Sequence, residues 1–153
     1  MSNPYFQFEQ DFVESLRCIP MIVRLKLDTC GVKLKLNHWY QLNSEEKENL
    51  VNLPCSSPIE AEEYRQKLQD LLIAKTGNPA GELVITSHPD WLETELIPES
   101  VLNKATEFDL HLTLAHWQKL TPLQRFALIK LSRSNHENAN FYPALQEFGL
   151  IDN

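Results

Sequence analysis

Two seven-residue stretches, LNHWYQL at 36–42 and LAHWQKL at 114–120, repeat the pattern Leu-x-His-Trp-x-x-Leu 78 positions apart. With the chain shifted by that distance, residues 19–73 match residues 97–151 at 16 of 55 positions, where roughly four matches are expected by chance. A fixed period is typical of a duplicated unit. We therefore predict an internal duplication, with repeat unit 1 at about residues 11–75, a linker at 76–89 and repeat unit 2 at about 90–151.

The bulk composition indicates one ordinary globular domain over residues 1–153, because 42% of the residues are hydrophobic and 23% are charged. Folding at this length buries roughly 70% of the surface of the unfolded chain. No apolar run reaches the length of a membrane span, and the N-terminal residues lack the basic and apolar regions of a signal peptide. We expect a cytoplasmic protein that does not enter a membrane.

The apolar residues recur mostly with a helical period. Pro20 favours the start of a helix, and Gly31 can adopt the left-handed conformation that ends it. Asn43 or Ser44 is the candidate cap of the next helix, at residues 45–53, where a side-chain oxygen can accept a free backbone N–H. Helical boundaries of this kind predict an all-α fold.

The longest predicted helix has Ser57 as its cap, and its end lies near Gly77. Residues 32–36 alternate apolar and basic side chains, but without a second convincing strand we interpret them as an extended connector. Residues 83–86 are a second short extended piece inside the linker. The predicted architecture is a single helical bundle of two similar multi-helix units, with short extended connectors.

His38 and His116 occupy equivalent places in the two repeats. Histidine is a common metal ligand, but no carboxylate or cysteine stands at the same spacing from both histidines. Positions kept in both halves serve most simply the shared fold. We interpret both His-Trp pairs as architecture, with the indole packed inside and the imidazole bonded to a polar partner.

Three cysteines, Cys18, Cys30 and Cys55, show no short ligand spacing, so reduced thiols are expected. The repeat alignment places apolar residues opposite Cys18 and Cys30, which favours core positions for both. Cys55 falls in a loop, where a partner-facing or redox-sensitive thiol is the alternative. A small metal- or redox-active protein that uses all three cysteines together with His38 stays open as a second hypothesis.

The net charge of −7 argues against nonspecific binding to nucleic acid. Residues 17–35 nevertheless have a balance of +4, which leaves −11 for the rest of the chain, and they contain Arg17, Arg24, Lys26, Lys33 and Lys35. The second repeat keeps only the equivalent of Lys26. One interpretation is a solvated face neutralised by nearby carboxylates; the other is an electropositive patch that binds an acidic protein surface or a phosphorylated cofactor.

No catalytic motif is recognisable, and four glycines offer little for a phosphate-binding loop. We therefore predict a protein that is not an enzyme and has no bound cofactor. A regulator that binds DNA through short helices is a third hypothesis, and the negative net charge disfavours it.

Several segments resemble one known family: FQFE at 6–9, SLRCIPMIVRLKLDTCGVKLKLNHW at 15–39, LVNLPC at 50–55 and LTLAHWQKLTPLQRFALIKLS at 112–132. They are similar to the nitrate reductase-associated proteins of cyanobacteria. At one position in the helix after the first His-Trp pair, where the resemblance leads us to expect an arginine, this chain has Lys47, which lacks the fork of donors needed for a bidentate contact.

The resemblance implies an accessory role. Members of the family are needed for the activity of assimilatory nitrate reductase, a molybdenum and iron-sulfur enzyme fed by ferredoxin, without being its catalytic chain. The expected partner is nitrate reductase, and ferredoxin or the molybdopterin cofactor is the alternative contact. The role would be assembly, cofactor maturation or docking for electron transfer.

Overall fold

The computed structural model describes residues 4–10, 19–133 and 138–151. This part of the chain is mostly helical, which confirms the predicted all-α class. Its eight α-helices are α1 (Met21–Cys30), α2 (Leu36–Tyr40), α3 (Ser44–Asn52), α4 (Pro58–Thr76), α5 (Glu99–Thr106), α6 (Leu114–Lys119), α7 (Pro122–Arg133) and α8 (Phe141–Glu147). Three short 3₁₀ helices accompany them, at Gln7–Glu9, Asp90–Leu92 and Asn138–Asn140.

The chain divides into two compact units, Met1–Tyr5 with Asp11–Thr86, and Phe6–Gln10 with Ser87–Asn153. The main division, between Thr86 and Ser87, falls inside the segment expected to be a linker. The single domain and the internal duplication stay predictions. In the described ranges, no helix is both long enough and apolar enough to cross a membrane.

In the first unit, local capping chemistry sets the helix boundaries. The side-chain oxygen of Asn43 accepts the backbone N–H of Glu46, and that of Glu46 accepts the backbone N–H of Asn43, each at 2.8 Å. This reciprocal capping box begins α3. Ser57 accepts from the Glu60 N–H at 3.1 Å and begins α4. Gly31 and Gly77 end α1 and α4 with φ of 79° and 85°. These four boundary predictions are confirmed.

The core of the first unit lies between α1, α3 and α4, with Trp39 of α2 fully enclosed. Its buried side chains are Val23, Leu27, Cys30, Val32, Trp39, Leu42, Leu50, Val51, Cys55, Tyr64, Leu68, Leu72 and Ala80. Dense apolar packing of this kind supplies most of the stability of short helices, which are marginal alone.

A two-stranded antiparallel sheet joins β1 (Val32–Lys33) to β2 (Gly81–Glu82), so the interpretation of Val32 as part of an unpaired connector is wrong. The partner strand also begins before the predicted extended piece at 83–86. Two residues per strand give almost no periodic signal, and the Gln69 side chain fixes the approach by bonding both the N–H and the C=O of Ala80, at 2.8 and 3.1 Å.

The second unit packs α7 against α5, α8 and the turn at Asp90–Leu92. The ring of Trp91 meets that of Phe126 edge to face at a centroid distance of 5.0 Å. The carboxylate of Glu147 on α8 accepts the backbone N–H groups of Gln7 and Phe8 at 3.0 and 3.1 Å, which fixes the N-terminal 3₁₀ turn to the end of this unit.

Gly31→Ala should lower the free energy of unfolding by more than Gly77→Ala, measured by urea denaturation. Both residues have positive φ, so each alanine costs roughly 1–2 kcal/mol of backbone strain. At Gly31 a Cβ would also lie 2.8 Å from Cγ1 of Ile85 and 2.9 Å from the Leu83 carbonyl, whereas Gly77 has open space. Equal losses would show that the contact with residues 83–85 does not constrain α1.

Candidate functional site

Lys26 lies on α1, and its ammonium group forms hydrogen bonds within the first unit. Its Nζ donates to the carbonyls of Val51 and Leu53, at 2.5 and 2.6 Å, where α3 ends. A cation is favourable at this negative end of a helix. The ammonium also lies 5.9 Å from the ring centroid of Tyr64, and burial lowers its pKa.

Two further members of the predicted basic patch are exposed, and they lie on the stretch that joins α1 to α2. Lys33 is on β1 and Lys35 directly precedes α2; we call them the connector lysines. Arg24 is half-buried, with its guanidinium 3.8 Å from the Met21 sulfur and a further interaction within the structure. Arg17 lies outside the described residues.

Cys30 and Cys55 come together in the core of the first unit. Cys30 is the last residue of α1 and is 1% exposed, which confirms its expected core position. Cys55 lies in the loop between α3 and α4, as expected, but only 7% of it is exposed, so it does not face a partner. Both thiols are free, and each sulfur lies beside a backbone carbonyl of α1, Cys30 at 3.7 Å from that of Leu27 and Cys55 at 3.6 Å from that of Lys26. Cys18 lies outside the described residues.

The two thiols differ in acidity. The hydrogen bond with Cys55, followed by burial, raises the pKa of Cys30. The same hydrogen bond, with Cys30 as donor, lowers the pKa of Cys55, and the charge of Lys26 lowers it further. Nearby, burial raises the pKa of Tyr64, whose hydroxyl donates to the Leu50 carbonyl at 2.7 Å. The charge of Lys26 therefore favours the thiolate form of Cys55.

The structure does not bring together the ligands of the hypothetical metal site formed by three cysteines and His38, within the residues that it describes. The Nδ1 atom of His38 accepts the backbone N–H of Lys35 at 3.0 Å, which uses this nitrogen to begin α2. Among residues 4–10, 19–133 and 138–151, no group of three or more His, Cys, Asp or Glu side chains could hold a metal ion.

The two His-Trp motifs have the same local structure, each considered within its own unit. The Nδ1 atom of His116 accepts the Thr113 N–H at 3.1 Å, just as His38 accepts that of Lys35. The indoles that follow, Trp39 and Trp117, are both buried. These contacts support the interpretation of both His-Trp pairs as architecture, with the indole packed inside and the imidazole bonded to a polar partner.

The Nε1 atoms of the two indoles differ in their hydrogen-bond acceptors among the described residues. The Nε1 of Trp117 donates to the Glu93 carbonyl at 2.7 Å. No acceptor for Nε1 of Trp39 is found within the described part of the chain. The repeat alignment places Glu14 opposite Glu93, and Glu14 lies outside that part.

Arg125 is a buried cation whose role sequence reasoning missed. Its Nε donates to the Trp91 carbonyl at 2.7 Å, and Nη1 donates to the carbonyls of Trp117 and Leu120 at 3.2 and 2.6 Å. The predicted repeat alignment places Arg125 opposite Lys47, which is also buried and whose Nζ lies 5.5 Å from the Trp39 ring centroid. A cation at the same repeat position in both halves was the available signal.

Comparison with known proteins gives one match. The family model described as conserved nitrate reductase-associated protein matches residues 5–148 of the chain. No curated protein and no solved structure matches.

Replacing Lys26 by Met should raise the pKa of the Cys55 thiol, because the nearby positive charge favours the thiolate. The measurement is a pH titration of thiolate ultraviolet absorbance in a Cys18→Ser background, with circular dichroism to verify the fold. Lys33→Met is the matched control, since Lys33 is exposed on β1. Identical titrations of the two variants would contradict this electrostatic link.

Arg125→Met should lower the free energy of unfolding by about 3 kcal/mol, since three backbone carbonyls lose a charged donor inside the protein. Arg133→Met, on the same helix, removes an exposed pair with Asp90 at 3.5 Å and should cost less than about 1 kcal/mol. Urea denaturation measures both. Comparable losses of unfolding free energy would mean that the bonds from Arg125 to the carbonyls of Trp117 and Leu120 do not stabilise the end of α6.

Proposed function

The chain belongs to the family of conserved nitrate reductase-associated proteins, and from this we propose that it is a non-catalytic accessory protein that binds nitrate reductase. The observation that carries the proposal is the match over residues 5–148, which spans most of both compact units. The accessory role is the part that the family description favours.

The connector lysines supply the binding surface. Their backbone is fixed on both sides, because Lys33 pairs with Gly81 in the sheet and the N–H of Lys35 is bound by His38. Two exposed ammonium groups are thus held on a short ordered stretch. Binding through them requires little backbone ordering, which leaves more of the interaction energy for affinity.

The charge of the connector stands out against an acidic chain. The protein has a net charge of −7, so long-range attraction to an acidic partner must come from a local concentration of cations. Lysine ammonium groups are point charges, which suit scattered carboxylates on a protein surface better than bidentate recognition of one phosphate. We therefore favour an acidic surface of nitrate reductase over the molybdopterin cofactor.

Lys26 has a supporting part in this surface. Its ammonium donates to the carbonyls of Val51 and Leu53 and thereby positions α1. This ammonium therefore does not contact the partner in the proposed complex. The proposed contact therefore centres on Lys33 and Lys35, with Arg24 and Arg17 as the other cations of the patch identified in the sequence.

The double variant Lys33→Glu/Lys35→Glu should retain about tenfold less nitrate reductase in a pulldown, because like charges then face the acidic partner surface. Lys67→Glu/Lys119→Glu is the matched control: both lysines are exposed, and the change in net charge is the same. Circular dichroism verifies that all proteins are folded.

Equal retention by the two double variants would rule out the connector lysines as the binding surface. If the connector variant retained less ferredoxin but as much reductase as the unmodified chain, the connector lysines would bind ferredoxin and not the reductase. Failure of the unmodified chain to retain any reductase would contradict the proposed function itself.

A further inference from the structure

We propose that Cys30 and Cys55 are a peroxide-sensitive dithiol that closes to an intramolecular disulfide. The site is a modification site in the core of the first unit and does not depend on the proposed binding of nitrate reductase.

The geometry brings both sulfurs against one turn of α1. The Sγ of Cys55 lies 3.6 Å from the Lys26 carbonyl, and the Sγ of Cys30 lies 3.7 Å from the carbonyl of Leu27, the next residue. An interaction between the two thiols is also the largest cause of the pKa shift of each. Two sulfurs that lie beside consecutive carbonyls of one helical turn need only a short approach to form a bond.

The backbone on either side of the pair is held before any oxidation. Gly31 ends α1 directly after Cys30, with its N–H bonded to the Leu27 carbonyl at 2.8 Å. Lys26 holds the Leu53 carbonyl, two residues before Cys55. A non-covalent contact therefore ties the middle of α1, one helical turn before Cys30, to the start of the loop that contains Cys55.

The order of reaction follows from exposure and acidity. Cys55 is the more accessible sulfur, at 7% against 1%, and it is the thiol whose ionisation Lys26 favours. The Cys55 thiolate attacks hydrogen peroxide, which forms an S–O bond, breaks the O–O bond and releases hydroxide. Cys30 then loses its proton and attacks the sulfenic sulfur, which forms the S–S bond and releases water.

Core packing alone does not account for this pair. In the predicted repeat alignment, Phe108 stands opposite Cys30 and Arg133 stands opposite Cys55. Phe108 stacks on Phe141 in the second unit, and Arg133 is exposed near Asp90. The second unit thus has neither thiol, so the helices common to both halves do not require one.

Peptide mapping tests the proposal on the full-length chain, because trypsin places the three cysteines on separate peptides, residues 18–24, 27–33 and 48–65. The folded, reduced protein is treated with hydrogen peroxide, quenched with an alkylating agent and digested. We expect a linked pair of peptides 27–33 and 48–65, lighter by two hydrogen atoms than their sum, which a dithiol reductant separates.

Two matched variants complete the experiment. Cys18→Ser should give the same linked pair with unchanged yield, whereas Cys55→Ala should abolish it and leave Cys30 alkylated after unfolding. The wild-type result is decisive even where a core variant folds poorly. Peroxide treatment that leaves both thiols reduced, oxidises Cys55 to sulfinic acid without a link, or links either cysteine to Cys18 would overturn the proposal.

Discussion

The contact between the Lys26 ammonium and the carbonyls of Val51 and Leu53 is the constraint on which the first unit depends. It joins the middle of α1 to the end of α3 and thereby sets where the following loop begins. Lys104, which the predicted repeat alignment places opposite Lys26, instead pairs with Glu107 three residues away. These two lysines therefore make a long-range contact in one unit and a local contact in the other.

That constraint also separates the basic residues by role. Sequence charge alone groups Lys26 with Lys33 and Lys35, because all three fall within one basic stretch. In the structure, Lys26 is directed into the unit, while the connector lysines are exposed after the helix ends at Gly31. The hydrogen bonds of Lys26 to Val51 and Leu53 stabilise the framework that holds the connector lysines at the surface.

Features that depend on near neighbours in the chain were predictable. Asn43 with Glu46 and Ser57 with Glu60 meet across three residues, so the sequence contains both partners of each cap. Burial of Trp39 and Trp117 followed from their repeated place. The pairing of Val32 with Glu82, the approach of Cys55 to α1 and the bond from Arg125 to the Trp91 carbonyl involve distant segments. No local pattern encodes such contacts, because tertiary packing decides them.

The proposed contact between the exposed connector lysines and nitrate reductase is tested most directly by the Kd of the purified chain for purified reductase. Calorimetry over a range of salt concentrations determines this Kd. We expect the affinity to fall steadily as salt rises, since screening acts on contacts between exposed charges. A Kd that does not change with salt, or the absence of binding at low salt, would contradict it.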